Sequence, residues 1–503
     1  MLQQNKSVAI IGGGLGGLFC GALLAKEGLR VTVIEKNTGI GGGLQSFQRF
    51  GITFDAGMHI VGGMNEGGSI YRICKYLGII DRMSLLPVDD DCIDRLHFVE
   101  DGATYSIAKG MKGFVESLAV HFPGQRENLQ QYVDAMFRLT QETDLFYLRP
   151  SRSNIFMHSE DFLLPVGEFI AKYITDSHLQ SVLAYMNPLY AGKADTTPAY
   201  VHSIINVLYI NGACRFVGGS QLFAEELKAY IEEHGGSVLT GDPAVKVISE
   251  ERTIKELVTR SGRLVSADYF VSSVHPCSLL KLLDDSQIFP KAFRTRLEEI
   301  PNSYSAFTLY VKLKEDRVPY FNHTRYCVSR YDAIWQYSRY DAQWPRGVMY
   351  LTPPEKNQGT YSRKMIITSP MQWEAVERWK DTFLGHRTED YQQWKQQCAD
   401  RMLTLLEKAM PGIRDSIEAV NTASPLTIRD YYDVRNGSMY GYIKECGNIA
   451  KSQMNVVTKV SNLFFTGQNV NLHGFCGVPL TAISTCEAIL GSNYLIDRLN
   501  ESY

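Results

Sequence analysis

The sequence of 503 residues lacks the features that mark membrane-spanning, disulfide-rich and nucleic-acid-binding proteins. No apolar run reaches the roughly 18 residues that a membrane-spanning helix requires. The ten cysteines are scattered and form no C-x-x-C pair, which argues against a zinc site and favours reduced thiols over a disulfide framework. The formal net charge of −3 gives no electrostatic reason to expect a nucleic-acid partner.

Two common catalytic arrangements are also missing. The sequence shows no Ser-His-Asp spacing of a hydrolase and no cluster of metal-ligating residues, so we predict no metal site. The N-terminus runs directly into an apolar segment and leaves no room for a signal peptide, from which we expect a cytoplasmic protein. With 45% hydrophobic and 21% charged residues, the composition suits a globular enzyme, and the length predicts two or three lobes.

The most informative stretch is residues 7–36, which read SVAIIGGGLGGLFCGALLAKEGLRVTVIEK. Residues 8–11 form a short apolar run typical of a buried parallel strand. Gly12, Gly14 and Gly17 follow at G-x-G-x-x-G spacing, and a helix-forming segment and a second strand come next. A strand, turn, helix and strand in about thirty residues predict a dinucleotide-binding unit.

Each of these residue types has a physical reason in such a site. Gly12 permits the tight turn, Gly14 leaves room for a pyrophosphate beside the backbone, and Gly17 lets the helix pack close to the sheet. The helix N-terminus offers free N–H groups and a positive dipole end to the phosphates. The second strand ends on Glu35, whose carboxylate accepts hydrogen bonds from a ribose diol. A turn that merely requires glycine is the alternative, and it does not account for this acid.

A second glycine-rich segment follows, KNTGIGGGLQSFQRFGITFDAGMHIVGG. A plain NAD dehydrogenase has no need of it, whereas a longer cofactor does. The stretch from residue 7 to residue 63 resembles the flavin proteins related to phytoene desaturase, carotenoid isomerase and retinol saturase, in which a GG pair and a GfxfDxG segment line FAD. Here these are Gly41-Gly42 and GITFDAG, while Gly43 stands where many relatives carry Arg. His59 matches the retinol saturase branch, which has His at that point.

The C-terminal segment NLFFTGQNVNLHGFCGVPLTAISTCEAIL carries a second signal for the same cofactor. Residues 463–465 predict a buried strand with Gly467 and Gln468 at its carboxyl end, where open α/β sheets bind ligands. Gly477 permits close backbone approach, and Pro479 predicts the first turn of a helix whose N–H groups face the flavin pyrimidine. The Gly-Gln pair is again similar to the retinol saturase branch, since many relatives have Gly-Asp.

The pattern along the chain and the resemblance together predict an α/β fold, with a Rossmann-like FAD-binding domain and inserted substrate-binding lobes of mixed α+β character. The FAD-binding domain is predicted to be discontinuous, comprising residues 1–69, 214–276 and 426–503. Residues 70–213 are predicted to form a helical lobe and residues 277–425 a substrate-binding α+β lobe. The resemblance implies that FAD is held by Gly12, Gly14, Leu15, Gly17, Glu35, Lys36, Gly42, Gly43, Leu44, Asp55, Gly57, His59, Val245, Gly467, Gln468, Gly477 and Val478.

An apolar stripe in the helical lobe has two interpretations. Apolar residues recur there at helical spacing, which is typical of a packed core; they are Phe162, Val166, Phe169, Ile170, Tyr173 and Ile174. The same stripe suits an apolar tunnel or contact with a membrane surface. We therefore leave open a peripheral contact with the inner face of a membrane.

The resemblance implies hydride exchange between the flavin and a carbon of a conjugated, water-insoluble substrate. Saturation of a double bond also needs a proton donor, and His473, His59 and Tyr440 are the candidates because their motifs border the predicted flavin site. For His473 and Tyr440 the alternative is hydrogen bonding to the flavin or the loop backbone, and for His59 it is a structural role that bridges backbone groups. The predicted partner is a polyene or isoprenoid lipid, and the oligomeric state is left open.

Our leading hypothesis is an FAD-dependent oxidoreductase acting on carbon–carbon double bonds, with a retinol saturase-like reductase preferred over a phytoene-type desaturase or a carotenoid cis-trans isomerase. No second G-x-G-x-x-G unit is evident, so electrons are expected from diffusible NAD(P)H or a partner protein. A second class is a non-catalytic isoprenoid carrier similar to the proteins that extract prenylated GTPases from membranes. Such carriers depart from the glycine pattern that Gly12, Gly14 and Gly17 preserve here.

Overall fold

A computed structural model describes residues 5–57, 59–151, 158–283 and 288–503. The strands of the described residues are β1 (Ser7–Ile11), β2 (Arg30–Ile34), β3 (Ser46–Arg49), β4 (Ile52–Asp55), β5 (Val61–Gly62), β6 (Leu85–Pro87), β7 (Asp94–Phe98), β8 (Thr104–Ile107), β9 (Ala213–Phe216), β10 (Ser237–Leu239), β11 (Ala244–Glu250), β12 (Thr253–Thr259), β13 (Leu264–Ser266), β14 (Tyr269–Ser272), β15 (Ser305–Leu313), β16 (Thr324–Val328), β17 (Gly347–Leu351), β18 (Lys364–Met371), β19 (Ile417–Ala423) and β20 (Leu463–Phe465).

The helices of the described residues are α1 (Leu15–Lys26), α2 (Ser69–Leu77), α3 (Met111–Ala119), α4 (Arg126–Gln141), α5 (Val166–Tyr173), α6 (Ser177–Leu183), α7 (Ala199–Ile210), α8 (Gln221–Glu233), α9 (Pro276–Leu282), α10 (Lys291–Glu299), α11 (Glu389–Ala409), α12 (Pro425–Tyr432), α13 (Ile449–Ser452), α14 (Gly474–Leu490) and α15 (Tyr494–Glu501).

A five-stranded parallel sheet organises the molecule, in the order β10-β2-β1-β14-β20. Its central strands are apolar and buried, as in parallel sheets that are covered on both faces. Helices α1 and α14 pack against each other beside this sheet. The antiparallel meander of β11, β12 and β13 forms a separate small sheet. The carboxyl ends of β1, β2, β14 and β20 meet at one edge, where open α/β sheets bind ligands.

The three stretches of chain predicted to form the FAD-binding domain all contribute strands to this one sheet. β1 and β2 come from the first stretch, β10 and β14 from the second, and β20 from the third. The sheet is therefore completed only when the C-terminal strand pairs with β14, through the register Phe270 to Leu463. The residues at which the FAD-binding domain begins and ends in each stretch are still a prediction.

A seven-stranded sheet forms the second layer of structure, in the order β19-β15-β18-β17-β16-β7-β8. Residues 70–213 are predicted to form a lobe of helices and irregular segments, and this prediction lacks two strands, because β7 and β8 belong to this sheet. β7 pairs with β16 in parallel, so the edge of the substrate-side sheet comes from the other predicted lobe. The pairing is between segments far apart in sequence, which local patterns do not encode.

The apolar stripe of the helical segment lies in the protein interior. Val166, Phe169 and Ile170 on α5 are at most 3% exposed and belong to the main hydrophobic core, as does Phe162 before the helix. Of the two interpretations of the stripe, the structure favours the packed core.

Among the described residues no single helix combines the length and hydropathy needed to cross a membrane. α14 and α15 reach those values only when taken together, and they meet at an angle of 117°.

Candidate active site

The turn after β1 has the conformation that its glycines predict. Gly12 has a φ of +102°, which residues with a side chain rarely adopt, and a β-carbon on Gly17 would lie 2.0 Å from the carbonyl oxygen of Gly12. A β-carbon on Gly14, by contrast, would have no atom within 4 Å, so space is open beside this backbone. Gly14 is also the N-cap of α1 and supplies no side-chain cap. The first N–H groups of α1 thus border an open groove, the arrangement on which anion sites are built.

Glu35 lies at the carboxyl end of β2, beside the same turn. Its Oε2 atom accepts the N–H of Gly13 and its Oε1 atom accepts the N–H of Asn37, each at 2.8 Å. Each carboxylate oxygen keeps a second lone pair, so a ribose diol would meet an acceptor that two backbone groups hold in place. The next residue, Lys36, donates its ammonium to the carbonyl oxygen of Asp430 at 3.0 Å, which ties the end of β2 to α12.

The second glycine cluster lies directly against the first. The N–H of Gly41 donates to the carbonyl oxygen of Gly13 at 2.7 Å, and a β-carbon on Gly42 would lie 3.3 Å from the Cα of Gly14. A β-carbon on Gly43 would have no atom within 4 Å, whereas one on Gly57 would lie 3.1 Å from the carbonyl oxygen of Gly43. The two clusters therefore form one continuous wall without side chains, along which an extended cofactor fits.

Asp55 accepts structural hydrogen bonds beside this wall of glycines. Its Oδ1 atom accepts hydrogen bonds from the Ser46 hydroxyl at 2.8 Å and the Ser220 N–H at 3.0 Å. These bonds join the β3–β4 hairpin to the N-terminus of α8. Burial raises the pKa of the carboxyl, against the opposing effect of the Ser46 and Ser220 bonds. Asp55 thus positions the second glycine cluster, and its predicted contact with FAD stays a prediction.

The two ends of the chain meet at this groove. A β-carbon on Gly16 would lie 3.0 Å from the Cα of Gly467 and 3.2 Å from the Cγ1 of Val478. One turn further along α1, the Cys20 thiol donates to the Thr466 hydroxyl at 3.4 Å. The N-terminal glycine motif and the C-terminal motif therefore share one groove, as the sequence predicts for residues that serve the same cofactor.

The helix of the C-terminal motif begins earlier than predicted. α14 starts at Gly474 with His473 as its N-cap, so Pro479 lies inside the helix and not in its first turn. The flanking glycines permit the earlier start: Gly474 has a φ of +75°, and a β-carbon on Gly477 would lie 2.5 Å from the Cβ of Leu472. The close approach at Gly477 is therefore made by the protein's own loop, and His473 and Gly474 form the end of the helix.

For the other residues predicted to hold FAD, contact with the cofactor stays a prediction, and the structure gives their exposure. Leu44 and Val478 are buried, whereas Leu15 and Gln468 are half-buried. Val245 is 45% exposed and sits at a register shift of the β11–β12 pairing, between Ala244 and Lys246. A residue at such a bulge is left outside the regular ladder, so its backbone N–H and carbonyl are suited to pairing with a base edge.

Of the three candidate proton donors, His473 is buried, whereas His59 and Tyr440 are half-buried. The Nε2 atom of His473 and the Nδ1 atom of His59 are buried, with no hydrogen-bond partner among the described residues. Burial lowers the pKa of His473 to about 3, with a smaller contribution from Lys444. Burial, then the charges of Arg215 and Lys364, lowers the pKa of His59 to about 3. Both imidazoles are therefore neutral near pH 7 and hold no extra proton to give.

Tyr440 lies against His473, with ring centroids 4.9 Å apart. Its hydroxyl donates to the carbonyl oxygen of Pro188 at 3.0 Å, and burial raises its pKa. A phenol whose pKa is raised in this way is a poorer acid than tyrosine in water. The structure thus brings His473 and Tyr440 together, and it shows no contact of His59 with either.

Two cavities adjoin Tyr440. The first is apolar, has a volume of about 40 Å³ and is lined by residues that include Leu189, Val348, Met349 and Met439. The second has a volume of about 10 Å³, enough for one water molecule, and is lined in part by His473 and Lys444. A wider cleft of about 1290 Å³ opens between α9 and α12, and no predicted site residue lines it.

Lys444 is the notable residue that the sequence interpretation missed. It is 5% exposed, and its ammonium donates to the carbonyl oxygens of Ser452 at 2.9 Å and Val470 at 3.4 Å. Burial lowers its pKa to about 7. A lone lysine in an irregular segment carries no spacing signal; only its place between the two predicted motif residues Tyr440 and Gly467 hints at the site.

The residues present fit a long dinucleotide cofactor such as FAD. Open space beside Gly14 and Gly43 matches a pyrophosphate and the chain that continues from it, while the uncapped start of α1 supplies N–H donors. At the far end, the buried Nε2 atom of His473 at the N-terminus of α14 is a polar group available to a ligand. No group of three or more metal-ligating side chains occurs in the described part of the chain.

Comparison with known proteins agrees with this geometry. A family model described as an NAD(P)-binding Rossmann-like domain matches residues 10–77. An all-trans-retinol 13,14-reductase of Danio rerio is 24% identical over 97% of this chain and 86% of its own length. A prolycopene isomerase of an Oncidium hybrid cultivar is 24% identical over 94% of this chain and 83% of its own length. The solved structure of cyclohexylamine oxidase from Brevibacterium oxydans IH-35A shares the fold, with a TM-score of 0.63, 15% identity and coverage of 99% and 100% of the two chains.

The matched relatives span nearly the whole chain, including both predicted lobes. Because the solved structure is similar only at 15% identity, it shows the fold alone. These matches confirm the resemblance that the glycine-rich motifs predict: nearly from end to end, the chain is similar to an all-trans-retinol 13,14-reductase and to a prolycopene isomerase.

Proposed function

We propose that the protein is an FAD-dependent oxidoreductase that acts on carbon–carbon double bonds of a hydrophobic polyene or isoprenoid, in the direction of saturation. One observation carries the proposal: the N-terminal and C-terminal motifs meet at Gly16 and Gly467, so a single groove contains both. Full-length similarity to a protein named for the reduction of retinol supports the substrate class and the direction.

Each part of FAD would be held by a different segment of the chain. The start of α1, beside Gly14, would bind the pyrophosphate, and Glu35 would accept the ribose diol. The bulged backbone at Val245 would pair with the adenine. The N-terminus of α14, at His473 and Gly474, would face the pyrimidine of the flavin, where its dipole stabilises negative charge. When bound, FAD supplies the exchange of hydride with a substrate carbon.

The apolar cavity beside Tyr440 is the proposed end of the substrate site. Its volume of about 40 Å³ is far below the roughly 300–1,000 Å³ of ordinary ligand sites, so a polyene must displace side chains to enter. Met349 and Met439 line it, and methionine side chains adapt easily to such a change. The hydroxyl of Tyr337, which also lines the cavity, is buried and has no partner among the described residues, so it is available to an oxygen atom of the substrate.

The residues near this cavity have two tasks in a saturation reaction. They must exclude water while holding the substrate carbon within about 3.5 Å of the hydride donor. They must also supply a proton to the adjacent carbon. His473, His59 and Tyr440 remain candidates for contact with the flavin or the substrate. Electrons would come from diffusible NAD(P)H or a partner protein, and peripheral contact with a membrane would give access to a water-insoluble substrate.

Two alternatives remain as second candidates. A desaturase or cis-trans isomerase would use the same groove, and the similarity to a prolycopene isomerase favours the latter. A carrier of isoprenoid lipids without flavin is disfavoured by the open space at Gly14, since a protein without a dinucleotide has no need of it.

The test uses the purified full-length protein. We expect it to be yellow from bound flavin, and the photoreduced protein, kept free of oxygen, to convert a polyene to a product heavier by two hydrogen atoms while the flavin is reoxidised. Retinol, phytoene and lycopene isomers are compared by product mass and geometry. A geometric isomer without a mass change would identify an isomerase, and a colourless protein that binds isoprenoids would identify a carrier. Turnover of an amine without any polyene product would contradict the proposal.

A further inference from the structure

Lys444 is a buried ammonium without a buried counter-charge. Among the described residues its hydrogen bonds go to two backbone carbonyls, those of Ser452 and Val470, and its pKa is lowered by burial with no opposing contribution from a carboxylate. Burial of a charge with only neutral partners is costly, so such a residue is rarely kept for packing alone. Two of its three N–H donors are used by the carbonyls, which leaves one.

The third N–H donor of Lys444 is available to the water-sized cavity that this lysine lines. Lys444 lines the water-sized cavity together with His473, and the buried Nε2 atom of His473 has no partner among the described residues. One water molecule in this cavity would connect the ammonium to the imidazole. Tyr440 lines both this cavity and the apolar one, so the path from Lys444 leads towards the proposed substrate site.

We propose that Lys444 holds the proton that saturation of the double bond consumes and passes it through the cavity and His473 to the substrate. The inference rests on the proposed function. In this step the π bond of the substrate is lost and two C–H bonds form. One uses the hydride from the reduced flavin, and the other uses the proton that started on Lys444. The ammonium becomes a neutral amine, which bulk water reprotonates, and the two electrons are replaced by a nicotinamide or an electron-carrier protein.

The other titratable groups at this cavity do not hold an available proton. His473, whose pKa is lowered to about 3, is neutral, and burial raises the pKa values of Tyr440, Tyr442 and Tyr190. Lys444, whose pKa burial lowers to about 7, is about half protonated at pH 7 and releases its proton more readily than a lysine in water. A neutral imidazole passes a proton on by accepting at one nitrogen and donating from the other. This makes His473 a relay and Lys444 the source.

The test compares Lys444→Met and Lys444→Arg with a matched control, Lys395→Met. Lys395 lies on α11, away from the cavity, and burial lowers its pKa to about 8. The flavin-loaded, photoreduced protein is mixed with the polyene, and the rate of flavin reoxidation is followed from pH 5 to 9. We expect the wild-type rate to fall as the pH rises through about 7. Lys444→Met should lower the rate about 100-fold or more and abolish this fall.

Three further readouts separate a proton source from a structural lysine. Flavin content and the rate of photoreduction should be unchanged in Lys444→Met. Lys444→Arg keeps the positive charge but does not release a proton, so it should be as slow as Lys444→Met and show no fall in rate near pH 7. Between pH 7 and 10 the melting temperature of the wild type should rise relative to Lys444→Met, since the unfolded lysine binds a proton that the native lysine has lost.

Wild-type turnover with an unchanged rate and pH profile in Lys444→Met would overturn the inference and leave the proposed function intact. Absence of turnover in the wild type with every polyene would overturn both. A loss of rate in Lys395→Met equal to that in Lys444→Met would show that the effect is not specific to the cavity, and would also overturn the inference.

Discussion

The backbones of Gly16 and Gly467 are in contact, although these residues lie near opposite ends of the chain. A β-carbon on Gly16 would lie 3.0 Å from the Cα of Gly467 and 3.2 Å from its nitrogen atom. At these distances the neighbouring backbone has to move to admit even a methyl group. The contact fixes the distance between the start of α1 and the loop that leads into α14, which are the two walls of the proposed flavin groove.

A Gly16→Ala substitution should therefore separate these walls. We expect it to lower the free energy of unfolding by about 1–3 kcal/mol, as overpacking does, and to weaken flavin binding. Urea unfolding and flavin titration measure the two effects. Gly124→Ala is the matched control, because a β-carbon there has no atom within 4 Å, and it should change stability by no more than about 0.5 kcal/mol. Equal effects of the two substitutions would contradict the tight contact.

Gly14→Ala should act on the cofactor and leave the fold unchanged. Its β-carbon would enter open space, and its φ of −77° is accessible to alanine, so the flavin-free protein should unfold at the same urea concentration as the wild type. The added methyl group would occupy the space proposed for the pyrophosphate, and flavin affinity should fall at least about tenfold, which corresponds to about 1.4 kcal/mol. Unchanged affinity would show that the pyrophosphate does not pass Gly14.

Acid should destabilise the protein through its buried histidines. Burial lowers the pKa values of His59, His202 and His473 to about 3, from the ordinary value of 6.5. Between pH 6.5 and 3 the unfolded state therefore binds more protons than the native state at these positions, and stability falls as the pH falls. Asp94 opposes this trend, because burial raises its pKa to about 7 and the native state takes up its proton first; burial also raises the pKa of Asp55 and of Glu487, which act in the same direction.

Urea unfolding at pH 7, 6 and 5 measures the slope of the free energy of unfolding against pH. His202→Gln should reduce it, since His202 is buried and bonded to the hydroxyls of Tyr132 and Tyr190, whereas substitution of the exposed His386 should leave it unchanged. An equal slope in the wild type and in His202→Gln would contradict a lowered pKa of His202 in the native state.

A Tyr337→Phe substitution should stabilise the ligand-free protein. It removes a buried hydroxyl that has no partner among the described residues, and such a group costs about 1 kcal/mol or more. Tyr185→Phe, by comparison, removes a hydroxyl that donates to Asp94 at 2.8 Å and should be destabilising. If the Tyr337 hydroxyl binds an oxygen atom of the substrate, Tyr337→Phe should also raise KM for a polyene alcohol and leave KM for a hydrocarbon polyene unchanged. A loss of stability in Tyr337→Phe would show that the hydroxyl has a protein partner.

The parts of the fold that local sequence determines are the parts that could be predicted. The apolar run of β1, the turn glycines and the acid at the end of β2 form one local unit, and the structure has each in its expected place. The glycines also predicted the meeting of distant segments, because Gly41 and Gly467 each serve the close approach of another backbone. The core role of the α5 stripe was one of two interpretations that the periodicity allowed.

Features that depend on tertiary context were not predictable from local patterns. The pairing of β7 with β16 joins distant segments, and the sequence of neither strand indicates which strand it pairs with. The start of α14 was placed too late because proline favours a first turn, whereas Gly474 and Gly477 allow an earlier one. Lys444 could not be predicted as a site residue, because its burial and the cavity that it shares with His473 are visible only in the folded chain.

The measurement that tests the account most directly is a crystal structure of the protein with its bound flavin. We predict one FAD for each chain, with its pyrophosphate at the N-terminus of α1 beside Gly14. We expect the flavin ring to lie between the N-terminus of α14 and the apolar cavity at Tyr440. An FAD bound elsewhere, or a groove at Gly14 filled by protein side chains in crystals grown with FAD, would contradict the account.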